Sequence, residues 1–142
     1  MKKLFSLVTI FCALVSCSDK ETYKDPTAPI EKRVDDLLGR MTVNEKVGQL
    51  LCPLGWFFYE KTEDGQVEVS AEFVKRMTEM PLGGAWAVLR ADPWTQKTLE
   101  TGLNPKLAAE TMNKLQRYAV EETRLGIPML FTEEAVHGHM AI

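Results

Sequence analysis

Four segments of the chain carry apolar side chains at the three- and four-residue spacing of a helix that buries one face. Polar capping residues mark where three of these helices begin. Thr42, followed three residues later by Glu45, matches a capping box. Ser70 precedes the third segment, and Asn104 with Pro105 begins the fourth. The predicted helices cover residues 31–41, a short stretch after Thr42, residues 71–80 and residues 105–124.

Short, continuous apolar runs lie between the helices and are typical of strands buried on both faces. Three strands are predicted. The first begins within residues 52–58 and turns into a loop there, and the others cover residues 85–89 and residues 127–131. Helices that alternate with fully apolar strands predict an α/β fold with a parallel sheet. A turn is also predicted at residues 63–65, ahead of the alternating Val67 and Val69.

Composition and charge exclude several classes of protein. Hydrophobic residues make up 45% of the 142 residues and charged residues 26%, as in ordinary globular proteins and unlike disordered or low-complexity chains. The 17 Lys and Arg residues are scattered and outnumbered by 20 Asp and Glu, for a net charge of −3. This balance argues against a nucleic-acid partner, which requires a concentrated basic surface. Three cysteines exclude a disulfide scaffold.

Residues 1–16 have the features of an export signal. Lys2 and Lys3 precede an apolar run that is shorter than the roughly 20 residues of a membrane-spanning helix. The run ends in LVSC, which resembles the lipobox of bacterial lipoproteins, so Cys17 is expected to carry the lipid. That resemblance implies a periplasmic or cell-surface protein that touches the membrane only through its lipid; the alternative is a plain secretory signal. Polar residues 17–30 predict a flexible tether.

One cysteine remains once Cys12 leaves with the signal and Cys17 is lipidated. An intramolecular disulfide is therefore impossible. Cys52 has apolar neighbours and no adjoining basic residue that would lower its pKa. The sequence predicts a buried, unreactive thiol.

Two separated segments carry recognisable motifs. The first, at residues 33–49, reads RVDDLLGRMTVNEKVGQ. The second combines RLGIPMLF at residues 124–131 with EAVHGH at residues 134–139. Together they resemble the opening helix and the later Arg-Leu-Gly-Ile-Pro and (Asp/Glu)-Ala-x-His-Gly motifs of glycoside hydrolase family 3. The resemblance covers residues 31–142.

The resemblance implies a fold and an activity. Residues 31–142 would form the N-terminal part of a (β/α)8 (TIM-type) barrel, incomplete in this chain because a barrel needs about 250 residues. The implied reaction is hydrolysis of terminal non-reducing β-D-glucosyl residues from oligosaccharides or glycosides by a retaining mechanism, without metal or organic cofactor; a β-xylosidase is the alternative. Retaining enzymes use two carboxyl groups. The family carries them on a later barrel strand and in a following domain, so the fragment alone is expected to be inactive.

Candidate substrate-binding residues follow the predicted strands, where barrels carry their working residues. The resemblance implies that Glu134 accepts hydrogen bonds from sugar hydroxyls, although many members have Asp there; the alternative is a carboxylate at a helix N-terminus. Arg90 and Asp92 are candidates for the same site, with Trp94 as a sugar platform. Their alternative is a loop ion pair beside a core aromatic. His137 completes the predicted set.

Two other function classes stay open. Glu134, His137 and His139 offer metal-ligating groups, but their spacing favours hydrogen-bonding or packing histidines, and no metal is expected. A non-catalytic carbohydrate-binding lipoprotein would require the 126 mature residues to fold alone. An apolar last strand without a returning helix argues against that. The aromatic residues 56–59 are assigned to the core, as most aromatic clusters are; the alternative is a sugar-stacking surface near the first predicted strand.

Overall fold

The computed structural model describes residues 20–98, 100–135 and 138. Residues 1–16, Cys17, His137 and His139 lie outside the described residues, so the export signal, the lipidation and the roles of the two histidines stay predictions. The chain divides between Leu37 and Leu38 into two compact units, each described by itself. No helix formed by the described residues has the length and apolar content that crossing a membrane requires.

The N-terminal unit holds a short 3-10 turn, Thr22–Lys24, and the first part of helix α1, Ile30–Arg40. The backbone amide of Tyr23 donates to Asp36 Oδ2 at 2.9 Å, and Arg33 Nε donates to the Tyr23 carbonyl at 3.0 Å. Two hydrogen bonds therefore tie the turn, which lies within the predicted tether, to helix α1.

Helix α2, Val43–Gln49, opens the second unit with the predicted capping box. Thr42 Oγ1 accepts from the Glu45 amide at 3.2 Å, and Glu45 Oε2 accepts from the Thr42 amide at 2.7 Å. This reciprocal pair satisfies two of the amides that a helix start leaves without partners inside the helix.

A hairpin follows, formed by strands β1, Tyr59–Lys61, and β2, Val67–Val69. The predicted turn joins them, with Gly65 at a φ of 77°. The pairing is antiparallel, with Tyr59 opposite Val69. Tyr59 and Val67 are buried, and the residue that follows each of them is exposed. The hairpin strands are therefore covered on one face only, so strand β1 is not a continuous apolar run.

The parallel sheet that the sequence predicts is present. Strands β3, Gly84–Trp86, and β4, Leu130–Thr132, pair in parallel with Ala85 opposite Phe131. Residues 51–55 lie along the other side of β3 through a parallel bridge between Leu54 and Trp86. The three extended segments therefore lie side by side in the same order as in the sequence, with residues 51–55 first, then β3, then β4. Strand β3 is shorter than predicted, because Ala87, at a φ of 58°, leaves the extended conformation.

Helices α3, Ala71–Glu79, and α4, Pro105–Glu121, supply the connections between the extended segments. The predicted caps are confirmed: Ser70 Oγ accepts from the Phe73 amide at 3.2 Å, and Asn104 Oδ1 accepts from the Leu107 amide at 2.9 Å. Helix α4 ends three residues before its predicted end.

The core lies on one face of the parallel sheet. Met129 and Phe131 pack with residues of α3 and α4 such as Met77 and Leu115. Leu130, between them, is 75% exposed. The expectation that this strand is buried on both faces is therefore wrong for the described residues, because successive side chains point to opposite faces and only one face is covered.

Cys52 corrects a second expectation. Its thiol is exposed rather than buried. The sulfur lies 3.6 Å from Thr132 Oγ1. Thr132 and Leu130 share one side of strand β4, since strand side chains alternate with a period of two. Cys52 therefore belongs to the uncovered face of the sheet, which sequence neighbours alone do not reveal.

Candidate functional site

The carboxyl ends of parallel strands meet at one edge of a sheet, and this edge carries the predicted site residues. Arg90 and Asp92 lie in the loop that follows β3. Glu134 lies two residues beyond the end of β4. Glu133 Oε1 accepts a hydrogen bond from the Leu89 amide at 2.9 Å, which ties the end of β4 to that loop.

Arg90 lies between the two predicted carboxylates. Its Nε donates to Asp92 Oδ2 at 2.6 Å, and its Nη1 is 3.9 Å from Glu134 Oε2. The second distance is an ion pair but too long for a hydrogen bond. The structure therefore brings together three of the four predicted binding residues, and the three charges sum to −1. His137 is the fourth, and it lies outside the described residues.

Asp92 is held in its ionised form by the loop itself. Its Oδ1 accepts from the Thr95 amide at 2.9 Å, and this hydrogen bond, with a smaller contribution from Arg90, lowers the pKa of Asp92 from its ordinary value. The Asp92 amide in turn donates to the buried Thr95 hydroxyl at 3.1 Å. The loop ion pair expected as an alternative is thus present, and it sits at the same edge as Glu134.

Two tryptophans contact Arg90, and a third packs against one of them. Its guanidinium carbon is 4.9 Å from the ring centre of Trp94 and 5.8 Å from that of Trp86. Trp56 meets Trp94 with ring centres 5.1 Å apart and planes at 59°. Trp94 is 60% exposed, so it is not a core aromatic.

Trp56 is the residue that sequence reasoning assigned to the core and that the structure places at this edge. Phe58 and Tyr59 are buried as predicted, whereas Trp56 is partly exposed. It directly follows Gly55, whose amide donates to the Trp86 carbonyl at 2.7 Å at the end of the first parallel segment. The rule that selected Arg90 and Glu134, position just beyond a strand, also selects Trp56.

The two sequence motifs meet in a second cluster. Arg124 Nε donates to Glu45 Oε1 at 3.0 Å and its Nη2 to Glu45 Oε2 at 2.6 Å, a two-bond pairing of guanidinium and carboxylate. Arg124 Nη2 also donates to the Arg40 carbonyl at 2.9 Å. A pocket of about 330 Å³ beside this pair includes Tyr118 and Glu122 in its lining but none of the candidate binding residues. The shape of the surface and the chemistry of the strand edge thus point to different places. The pocket is not assigned to the substrate, because the Glu45 and Arg124 side chains that line it are paired with each other.

Metal binding by Glu134 with His137 and His139 is not tested, since both histidines lie outside the described residues. Across residues 20–98, 100–135 and 138, no three His, Cys, Asp or Glu side chains are grouped so as to hold a metal ion.

Comparison with known proteins finds relatives that are named as β-glucosidases and β-xylosidases. No family model matches the chain. The chain is 30% identical over 144 aligned positions to a protein of Formosa agariphila named "Putative beta-xylosidase", an alignment that covers 97% of the chain. It is 34% identical over 118 positions to the "Probable beta-glucosidase C" of Aspergillus oryzae and 32% identical over 114 positions to the "Periplasmic beta-glucosidase/beta-xylosidase" of Dickeya chrysanthemi, which cover 81% and 79% of the chain.

These relatives are much longer than the chain. The alignments span 18%, 16% and 15% of their respective lengths. The chain is thus similar to one segment of proteins that are named as β-glucosidases and β-xylosidases.

Proposed function

We propose that the chain supplies part of the substrate-binding wall of a glycoside hydrolase of family 3 that removes terminal β-D-glucosyl residues from oligosaccharides or glycosides. The observation that carries the proposal is the placement of Asp92 and Glu134 around Arg90 at the carboxyl edge of a parallel sheet. The names of the relatives support the same reaction class. Because those names include both sugars, β-xylosyl residues are the alternative substrate.

The chemistry of these side chains suits a sugar. An ionised carboxylate accepts hydrogen bonds at both oxygens, so Glu134 can receive two hydroxyl groups. Arg90 donates to Asp92 and has further N–H groups for sugar oxygens. Retaining hydrolysis needs a nucleophile and an acid/base about 5–5.5 Å apart. We place both in parts of the protein other than residues 31–142, as the family resemblance implies.

The fold proposal is the first part of a (β/α)8 barrel. Three parallel segments in sequence order, 51–55, β3 and β4, support it. Helices α3 and α4 pack with the face of the sheet that carries Met129 and Phe131, as the outer helices of a barrel do. In such a barrel, the face with Leu130 and Cys52 would point to the interior. Side chains from the other barrel strands would pack against it there.

Attachment to a bacterial membrane through lipid on Cys17 is a further part of the proposal. It rests on the LVSC segment that follows a basic and then apolar N-terminus. Acyl chains on one residue hold a protein at a membrane while its domains stay in water. The protein would then act on glycosides in the periplasm or at the cell surface.

Substitution of Glu134 by Gln in the intact protein tests the proposed function. Gln keeps the size of the side chain but loses its charge and one acceptor, so kcat/KM for p-nitrophenyl β-D-glucoside and β-D-xyloside should fall about tenfold or more, since a hydrogen bond to a charged group is worth about 1.5–3 kcal/mol. Glu121→Gln, at the exposed end of α4, is the matched control and should leave the rate unchanged.

Two results would contradict the proposal. An unchanged rate in Glu134→Gln would remove Glu134 from the substrate site. Binding of glucosides or xylosides by the intact protein without any hydrolysis would instead favour a non-catalytic carbohydrate-binding lipoprotein.

A further inference from the structure

A tight turn follows strand β3 and leads directly to the proposed substrate edge. It covers residues 87–90 and is closed by the Arg90 amide, which donates to the Ala87 carbonyl at 3.4 Å. Ala87 has a φ of 58°, in the left-handed region that a residue with a side chain seldom adopts. A backbone in such a conformation persists only where its surroundings hold it there.

Several contacts from outside the turn hold it in place. The Ala87 amide donates to the Thr132 carbonyl at 3.0 Å, which fixes the first residue of the turn to β4. The Val88 side chain is buried in the core, and Leu89 packs against that core. In a four-residue turn only the last amide bonds to the first carbonyl, so the turn itself offers no acceptor to the Leu89 amide.

Glu133 supplies that acceptor. Its Oε1 accepts from the Leu89 amide at 2.9 Å, in a partly buried hydrogen bond. A backbone amide that is shielded from water needs such a partner, because leaving it unpaired destabilises the conformation that shields it. The carboxylate at the end of β4 therefore completes the hydrogen bonding of the turn after β3.

This hydrogen bond sets the spacing across the proposed site. Leu89 and Arg90 are neighbours in the chain, and so are Glu133 and Glu134. The bond therefore fixes the two backbones from which the Arg90 and Glu134 side chains extend. Those side chains meet at 3.9 Å, and that of Glu134 is 55% exposed. An exposed ion pair of this length contributes little to stability, so it does not hold the two strand ends together by itself.

We propose that Glu133 is a positioning residue of the proposed substrate site. Its carboxylate holds the turn of residues 87–90 at the end of β4 and thereby places the Arg90 guanidinium beside Glu134. This role requires an acceptor oxygen at position 133 but no charge. The proposal rests on the proposed function, because it assigns a further residue to the same site.

Substitutions of Glu133 in the intact protein test the need for an acceptor. Glu133→Met keeps the length of the side chain without a strong acceptor, so kcat/KM for p-nitrophenyl β-D-glucoside and β-D-xyloside should fall about tenfold. Misplacement of a binding group by about 1 Å can cost up to about a hundredfold. Glu133→Gln keeps an acceptor oxygen and should stay within about threefold of wild type. Glu134→Gln is the matched comparison, since the same change one residue later should cost about tenfold or more.

A double-mutant cycle separates positioning from a general loss of structure. If Glu133 acts through Arg90, Glu133→Met should change kcat/KM by less than about twofold in an Arg90→Ala background, because the group that it positions is already removed. A tenfold loss in that background would overturn the proposal. Equal values for Glu133→Met and Glu133→Gln in the wild-type background would overturn it as well.

Circular dichroism adds a readout that does not require hydrolysis. Arg90 contacts the ring of Trp94, whose centre is 5.1 Å from that of Trp56. Two indole rings at this distance give a coupled signal, which the difference spectrum of Trp94→Phe isolates. Glu133→Met should weaken the signal and Glu133→Gln should keep it.

An unchanged signal in Glu133→Met would overturn the positioning role while leaving the proposed function intact. If the wild-type protein hydrolyses neither the glucoside nor the xyloside, the proposed function fails instead. The positioning role in a substrate site then falls with it, even where the dichroism changes.

Discussion

Arg124→Ala and Glu45→Ala, made singly and together, test whether the ion pair between the two sequence motifs stabilises the fold. Glu45 lies in the first turn of α2, and Arg124 follows the end of α4. Their two hydrogen bonds join segments that are 79 residues apart in the sequence. Removal of either side chain should therefore loosen both segments.

The expected magnitude lies between those of surface and buried ion pairs. The Arg124 side chain is 55% exposed, so solvent screens much of its charge, whereas that of Glu45 is only 10% exposed. Exposed pairs contribute about 0.2–1 kcal/mol, and breaking a buried pair costs about 3–5 kcal/mol. We expect a coupling free energy of about 1–1.5 kcal/mol for this half-screened pair. Glu45→Ala alone should cost about 1 kcal/mol more, because it also removes the capping box with Thr42.

The assay is urea-induced unfolding of the intact protein followed by circular dichroism, on wild type, both single variants and the double variant. The double-mutant cycle isolates the coupling from other effects of each substitution. Glu121→Ala, which removes an exposed glutamate from α4, controls for a general change in charge. A coupling below about 0.3 kcal/mol, the additivity error of such cycles, would refute the argument that this pair holds the two motifs together.

Two further predictions concern the same region. The hydrogen bond from Arg124 lowers the pKa of Glu45 from its ordinary 4.5, so its contribution to the free energy of unfolding is present above pH 4.5 and lost as the pH falls through the lowered pKa. Urea midpoints measured from pH 7 to pH 3 should therefore fall more steeply for wild type than for Glu45→Gln, and parallel curves would contradict this. Gly126→Ala should cost about 1–3 kcal/mol in a thermal or urea melt, because φ is 61° and a Cβ would lie 2.7 Å from the Val120 carbonyl oxygen. Gly39→Ala in helix α1, where a Cβ meets nothing within 4 Å, is the control and should be neutral or stabilising; an equal loss in both variants would show that neither φ nor crowding explains the cost.

Helix starts were the most predictable features of the fold. Thr42, Ser70 and Asn104 each cap a helix through hydrogen bonds to residues three positions away. Such interactions depend on neighbours along the chain, so the local sequence contains all the information they need. Helix ends and strand ends were less predictable: β3 stops at Trp86, three residues early, where Ala87 adopts a positive φ.

The candidate site was predictable as a set of positions but not as an arrangement. Arg90, Asp92 and Glu134 follow strands in the sequence, and a parallel sheet brings the ends of its strands to one edge. Nothing in the local sequence indicates that Trp56 and Trp94 touch, since they lie 38 positions apart in the chain. Their meeting depends on the alignment of the first parallel segment with β3.

Spacing, capping and alternation act over a few residues, so the helix starts, the parallel order of the strands and the residues that follow them could be read from local sequence. Which face of each strand is covered depends instead on packing between segments that are distant in the sequence, and it became visible only in the folded protein. Leu130 and Cys52 look like core residues in sequence and are exposed, whereas Met129 is buried. The free energy of burying an apolar side chain depends on what packs against it, and in this protein those partners come from helices distant in the sequence.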